Sequence, residues 1–319
     1  MTTGTAGVDL GGTKIQTVVL RNRKVAGSAR VSTPQTGAED VVSVIAQTVR
    51  DAAEEADMAV EDLAAVGIGS PGRIDVATGT VSGSPHVNGF ADPVPFGPMI
   101  AQALGGGPKV LVDNDVRVAT LGEFKRGAGR GRRNFLGVFV GTGVGGGLVL
   151  EGKLRNGRGA AGEVGHMVAR HGGRRCGCGR RGCMEAYASR HSMEATARRW
   201  ADRGKKTALF AIQKEKHRPW LTSSVFAAAL ERKDAVAVRL IDEAVWALGT
   251  VLASVQNLLD LEAIIVGGGL GDRLGAPFVE RIEREMQPHL FVPERPPELL
   301  TTELGALGGA VGAAVRAGG

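Results

Sequence analysis

The chain has 319 residues, 43% of them hydrophobic and 23% charged, which excludes intrinsic disorder and provides for about two domains of the usual size. Thirty-nine lysines and arginines against 33 acids leave a net charge of +6, too small over this length to mark a nucleic-acid binder and in keeping with a solvated surface that attracts anionic substrates. Only three cysteines occur, all between 176 and 183, which excludes a secreted disulfide framework and fits a reducing cytoplasm.

From Thr2 to Thr5 the chain enters an apolar strand without the basic and apolar regions of an export signal. Val8, Leu10, Ile15 and Val19 alternate with small or polar residues around Gly11-Gly12-Thr13 and predict a β-hairpin over 7–20. Val42, Ile45 and Val49 predict a helix over 39–58, and 64–69 reads as a strand ending at Ser70-Pro71-Gly72. Residues 83–98, rich in proline and glycine, predict a loop, followed by a helix at 99–104 and a strand at 109–112. Strands at 134–140 and 147–150 flank a glycine cluster at 141–147, repeating the strand, glycine turn, strand order of the N-terminus.

From 186 onward the helical period dominates, through a charged insert at 203–219, helices at 222–232 and 234–259, a strand at 263–266 and a glycine turn at 267–269. An Ala/Gly-rich helix at 307–316 closes the chain and is suited to close packing. The longest apolar stretch, 244–255, is bracketed by Asp242, Glu243 and Asp260 and is too short to span a bilayer, so it reads as a buried helix. Glycine, at 49 residues without a Gly-X-Y period, serves turns and ligand loops.

Asp9-Leu10-Gly11-Gly12-Thr13-Lys14 sets a carboxylate at a strand end and two glycines in the turn after it. That combination suits a phosphate: glycine lets backbone N–H groups approach the oxygens, Thr13 adds a hydroxyl donor, and Asp9 is placed to hold a hydrated Mg²⁺. An ordinary Gly-Gly hairpin explains the same residues, and the segment is not a Walker A loop, because a strand follows it. Gly141-Thr142-Gly143-Val144-Gly145-Gly146-Gly147 satisfies G-x-G-x-x-G by spacing, but a dinucleotide fingerprint must open a helix and Leu148-Val149-Leu150 continues as a strand. Two glycine hairpins suit a nucleoside triphosphate instead. Gly267-Gly268-Gly269 is either a turn facing an adenosine or a plain strand-to-helix connection.

His166, Cys176, Cys178 and Cys183 form a His-x9-Cys-x-Cys-x4-Cys array that contains every cysteine of the chain. Three thiolates and one imidazole close a tetrahedron around a structural zinc and leave no open position for a catalytic water. Asp113-Asn114-Asp115 ends a predicted strand, where ligands collect in α/β folds, although such a triplet also serves as a helix cap. Glu163, three residues before His166, and Glu185, two after the last cysteine, would be gathered near the imidazole when the metal site closes. No G-x-S-x-G elbow and no H-E-x-x-H motif is present, which demotes hydrolase and metalloprotease readings.

Together these residues resemble the ROK family (repressors, open reading frames and sugar kinases) over nearly the whole chain, on Val8 to Lys14, on Gly141 to Gly147, on Gly162-Glu163-Val164-Gly165-His166 and on Cys176 to Glu185. The resemblance implies an α/β, actin-like ATPase (ribonuclease H-like) fold with two lobes around a cleft. One lobe would span 1–120 with the first hairpin, against which the final helix 304–316 packs. The other would span 121–303 with the second hairpin, the zinc loop and the adenosine-side glycine turn.

The activity it implies is ATP-dependent transfer of the γ-phosphoryl group, with Mg²⁺, to the 6-hydroxyl of a hexose, foremost glucose. Kinases of N-acetylmannosamine, N-acetylglucosamine, fructose or mannose are the alternatives, as are polyphosphate for the donor and a non-catalytic sugar sensor for the class. By resemblance Asp115 is the general base, Asn114, Glu163, His166 and Glu185 bind sugar hydroxyls, and Gly72 lines the pocket. Asp9, Gly11, Gly12, Thr13, Lys14, Gly141, Thr142, Gly143, Gly145, Gly268 and Gly269 hold ATP in the same reading. His166 would serve zinc with one ring nitrogen and the sugar with the other.

The family's repressors carry a helix-turn-helix ahead of this portion, for which the residues before Asp9 leave no room. The expected partners are therefore hexose and ATP, with neither nucleic acid nor membrane, in a cytoplasmic homodimer or homotetramer. Two departures bear on sugar choice: Val116, Arg117 and Val118 follow Asp115 where the family has small residues and an Asn, and His86-Val87-Asn88-Gly89-Phe90 lacks a Trp often found there.

Overall fold

A computed structural model describes residues 4–84 and 87–319. In chain order its elements are β1 (Gly4–Leu10), β2 (Lys14–Arg21), β3 (Lys24–Ser32), α1 (Ala38–Glu55), β4 (Leu63–Ser70), β5 (Arg73–Asp75), β6 (Thr80–Ser82), α2 (Phe96–Ala103), β7 (Lys109–Asn114), α3 (Asp115–Arg126), β8 (Phe135–Val140), β9 (Val144–Leu150), β10 (Lys153–Arg155), α4 (Glu185–Ala188), α5 (Arg190–Asp202), α6 (Leu209–Glu215), α7 (Ser223–Glu231), α8 (Ala235–Leu259), β11 (Ala263–Gly267), α9 (Gly268–Met286), β12 (Glu298–Thr301) and α10 (Gly308–Gly318). Among the described residues no helix is long and apolar enough to cross a membrane.

The chain divides into two units. The first comprises residues up to Gly131 together with Leu154–Ala161 and Glu303–Gly319; the second comprises Arg132–Lys153 and Gly162–Thr302. The first unit thus extends past residue 120, because α3 is one uninterrupted helix that packs against α10. Each unit is built on a five-stranded mixed sheet, ordered β3-β2-β1-β4-β7 in the first and β10-β9-β8-β11-β12 in the second. In both, the central strand pairs antiparallel with its hairpin partner on one side and parallel with a crossover strand on the other. The repeated strand, glycine turn, strand order is the local trace of this repeated sheet.

In the first unit, residues alternate across β1. Ala6, Val8 and Leu10 enter a core with Ile45 and Val49 of α1 and Phe96 and Ile100 of α2, while α10 packs with Val18 and Leu20 in a separate cluster. The close approach of α10 depends on small residues: a β-carbon on Gly312 would run into the backbone carbonyl of Val118 in α3. In the second unit, Leu136, Val138 and Val140 of β8 and Ile264 and Val266 of β11 pack against the long, largely buried α8.

Several elements differ from the sequence expectations. β3 had no signal, because its turn is Asn22-Arg23, both residues in the left-handed region at φ 50° and 66°; arginine there is not a turn signature. Ahead of the proline-rich region, β6 pairs with the short strand β5, and at its end α2 begins at Phe96, not at 99. The charged insert contains α6, and α3 begins at Asp115, directly after β7. Of the loop that lacks the Trp, His86 lies outside the described residues.

Candidate functional site

In the first unit the register of three parallel strands gathers the chemistry. Asp9 of β1 pairs with Gly69 of β4, and Gly69 and Ser70 pair with Asp113 and Asn114 of β7. Asp9, the Ser70-Pro71-Gly72 turn and the Asn114-Asp115 pair therefore stand along one edge, at the carboxyl ends of adjacent strands.

The first glycine hairpin turns its carbonyls into the protein. Gly11 O accepts from Thr33 Oγ1 at 2.6 Å, Gly12 O from Gln35 Nε2 at 3.3 Å and Thr13 O from Thr33 N–H at 3.2 Å. The N–H groups of Gly12 and Thr13 meet no acceptor among the described residues. Asp9 is half-buried, and removal of its carboxyl group from water pushes its pKa above the ordinary carboxylate value, against the pull of the Lys14 ammonium.

Asp113-Asn114-Asp115 divides its labour. Asp113 is buried, paired with the guanidinium of Arg117 and, at 3.1 Å, with Arg316 Nε of α10. Arg117 is itself buried by this pairing, so it braces the strand end. Asn114 caps α3, its Oδ1 accepting from the N–H groups of Val116 and Arg117 at 3.1 Å each, which leaves its amide NH₂ to act as a donor. Asp115 opens α3, and its Oδ1 accepts from Val116 N–H at 2.9 Å, fixing the carboxylate at the helix start.

In the second unit the glycine turn proper is Gly141 to Gly143, while Gly145 lies in β9 opposite Phe139. Here too the carbonyls are engaged: Gly141 O accepts from Arg190 N–H at 3.0 Å and Thr142 O from His191 N–H at 3.3 Å, both at the start of α5. The N–H groups of Thr142 and Gly143 have no acceptor among the described residues. Gly267 ends β11 and Gly268 opens α9 at φ 80°, so the third glycine turn is a strand-to-helix connection. It abuts the hairpin, since a β-carbon on Gly141 would lie 3.9 Å from Gly269 N.

His166, Cys176, Cys178 and Cys183 offer four ligand atoms that all lie within 4.8 Å of one another. Cys178 Sγ and Cys183 Sγ are 3.7 Å apart, and His166 Nδ1 is 3.8 Å from Cys176 Sγ. Bonds of about 2.3 Å to a tetrahedral centre separate two sulfurs by about 3.8 Å, so the donor set fits a zinc ion. Burial raises the pKa of the Cys176 and Cys183 thiols, as it would that of Cys178, but hydrogen bonds from the Arg180 side chain and backbone bring Cys178 down to about 6. Tyr187 fastens the loop by accepting from Arg174 N–H at 3.0 Å and stacking edge-on with Trp246 at 5.3 Å.

Glu185 joins this loop to the hairpin, one carboxylate oxygen accepting from Val144 N–H at 2.9 Å and the other 3.4 Å from Cys176 Sγ. Glu163 is exposed and precedes the short turn that carries His166. Arg190 was not singled out from the sequence. It follows Ser189, the cap of α5, and its Nη2 donates to Thr142 Oγ1 at 2.7 Å.

The chain matches the ROK family over residues 5–318. It is 33% identical over 291 residues to a glucokinase of Halalkalibacterium halodurans, covering 89% of this chain and 86% of that one. It is 29% identical over 310 residues to an N-acetylmannosamine kinase of Haemophilus influenzae, covering 96% and 93%. Among solved structures, a ROK family glucokinase from Streptomyces griseus in complex with glucose and AMPPNP matches with TM-score 0.83 and 33% identity, covering 98% of this chain and 99% of that one.

Proposed function

From the premise that the chain belongs to the ROK family, we infer that it is an ATP-dependent sugar kinase that phosphorylates the 6-hydroxyl of glucose. The observation that carries this reading is the pair of glycine hairpins, each with its carbonyls tied down and two N–H groups left without acceptors, together with Asp115 fixed at a strand-to-helix junction. Preorganised amide donors are what a polyphosphate with spreading negative charge requires.

In this reading Gly11 to Lys14 and Gly141 to Gly143 receive the phosphates of ATP, and Gly268 and Gly269 stand on its adenosine side. Asp9 is the carboxylate that would hold a hydrated Mg²⁺. When bound, that ion neutralises charge developing on the phosphate oxygens. Lys14 and the freed amides orient the donor for in-line transfer.

Asp115 accepts the proton of the 6-hydroxyl as the bond to phosphorus forms, since a hexose hydroxyl is too weak an acid to ionise beforehand. Asn114, its oxygen spent on the helix cap, donates from its amide to a sugar hydroxyl. Glu163 and Glu185 accept from others, and Gly72 leaves room for the ring. His166 and the thiolates of Cys176, Cys178 and Cys183 would hold zinc, which would supply folding energy to the loop, and His166 would offer its second ring nitrogen to the sugar. The enzyme works in the cytoplasm as a homodimer or homotetramer, which light scattering on the purified protein tests.

The N-acetylmannosamine kinase relative gives the second reading, in which the same residues act on an N-acetylated hexose. A coupled assay that crosses ATP and polyphosphate with glucose, mannose, fructose, N-acetylglucosamine and N-acetylmannosamine decides. Dominant turnover of glucose with ATP is expected. Preference for another pair would keep the mechanism and replace the substrate or donor, and no turnover by protein that binds sugar would leave a sensor.

A further inference from the structure

The second glycine hairpin carries a charge that the described residues do not balance. Arg190 is the first residue of α5, and its Nη2 donates to Thr142 Oγ1 while its buried Nε has no hydrogen-bond partner. The acid one turn further along α5, Glu194, is committed elsewhere: it accepts from Arg198 Nε and Nη2 at 3.1 and 2.6 Å and from Leu221 N–H at 2.9 Å. Burial lowers the pKa of Arg190, and the field of Glu194 only partly offsets it.

A guanidinium partly withdrawn from water, its buried Nε without an acceptor, is costly to leave without an anion, and a protein retains such a group where a ligand supplies one. The hydroxyl contact has a second consequence. Because Thr142 Oγ1 accepts from Arg190, its own hydrogen is turned away from the guanidinium and becomes a donor beside the unpaired N–H groups of Thr142 and Gly143.

We propose that Arg190 is a further binding residue for the phosphoryl donor, pairing with oxygens of its phosphate chain and orienting the Thr142 hydroxyl toward the same chain. This rests on the hairpin being the donor's cradle. A merely structural arginine, stapling α5 to the turn, would change stability and leave donor affinity alone.

The test is calorimetric titration of ADP into the wild type, Arg190→Gln and Arg190→Lys, with glucose binding as the internal control and steady-state kinetics alongside. Arg190→Gln should weaken ADP binding by about 10- to 100-fold, the range of a charged hydrogen-bond pair. Its KM for ATP should rise with glucose affinity unchanged, and Arg190→Lys should fall between the two proteins, since lysine keeps the charge but not the fork. ADP binding and KM for ATP within twofold of wild type in Arg190→Gln would overturn the proposal, as would glucose affinity falling in parallel. If Arg190→Gln loses its folded circular dichroism, Arg190→Lys decides alone: donor affinity equal to wild type overturns, and a selective loss supports. A wild type that binds no ADP overturns both the cradle reading and the role of Arg190, whereas an unaffected Arg190→Gln in an ADP-binding protein overturns only the latter.

Discussion

The carboxylate of Asp9 rests directly against Gly309 of the final helix: a β-carbon on that glycine would lie 2.6 Å from Asp9 Cγ and 2.8 Å from Oδ1. The group that would have to give way is a side-chain end, whereas at Gly312 it is the backbone carbonyl of Val118. Gly309→Ala should therefore keep its fold and displace the Asp9 carboxylate, lowering kcat/KM by about 10- to 100-fold with little change in melting temperature. Gly312→Ala, which offers no such relief, should cost the upper part of the ~1–3 kcal/mol typical of overpacking or more, read by chemical denaturation. Equal loss of stability in the two variants would contradict this division.

Asp9 also sets a pH dependence. Its folded-state pKa is raised, so between the ordinary carboxylate value and that raised value the folded chain binds more protons than the unfolded one. The stability it contributes is present at low pH and is lost as pH rises through this window. Asp9→Asn should melt higher than the unliganded wild type at neutral pH, by roughly 2–4 °C for each kcal/mol relieved, and should flatten the acid side of the profile. The same change should lower kcat on the order of 10²-fold by removing the carboxylate proposed for Mg²⁺. A variant that melts lower at pH 7 would show that burial is not what raises the pKa.

Much of this was legible in the sequence, and what was not has identifiable causes. Both hairpins, the long buried helix and the Cys/His array have local signatures, because glycine turns, helical spacing and ligand spacing are set by neighbouring residues. β3 was not, since Asn22-Arg23 enters a left-handed turn without glycine. The Asp-Asn-Asp triplet was legible only as a choice between cap and base. The structure makes Asn114 the cap and sets Asp115 at the helix start, a distinction that depends on which oxygen meets which N–H. Arg190 could not be read at all, because its meaning comes from contact with Thr142, 48 positions away.

Asp115→Asn should leave the fold intact, because an amide oxygen can still accept from Val116 N–H as Oδ1 does at 2.9 Å. It removes the proton acceptor, so kcat should fall by about 10²- to 10⁴-fold, while glucose and ADP affinities measured by titration stay within a few-fold of wild type. Residual activity near that of the wild type would move the base elsewhere on the strand-end edge.

Zinc removal should separate the sugar from the nucleotide. Cys176 and Cys183 are buried, and Tyr187, the only tyrosine of the chain, links their loop to Trp246. Without a metal the buried thiols must stay protonated and the His166 ring loses its anchor, so the loop should loosen and the near-ultraviolet dichroism of the Tyr187–Trp246 pair should fall. Glu185 and His166 are tied to this loop, whereas Gly268, Gly269 and the hairpin amides are held by β8, β9 and β11. Chelation, or Cys176→Ser, should therefore raise the KM for glucose by about 10-fold or more, as loss of supporting groups around a metal ligand does, with a smaller change in ADP affinity. Metal analysis of the untreated protein should find one zinc per chain; a chelated protein with unchanged dichroism and unchanged glucose KM would remove the metal from both folding and sugar binding.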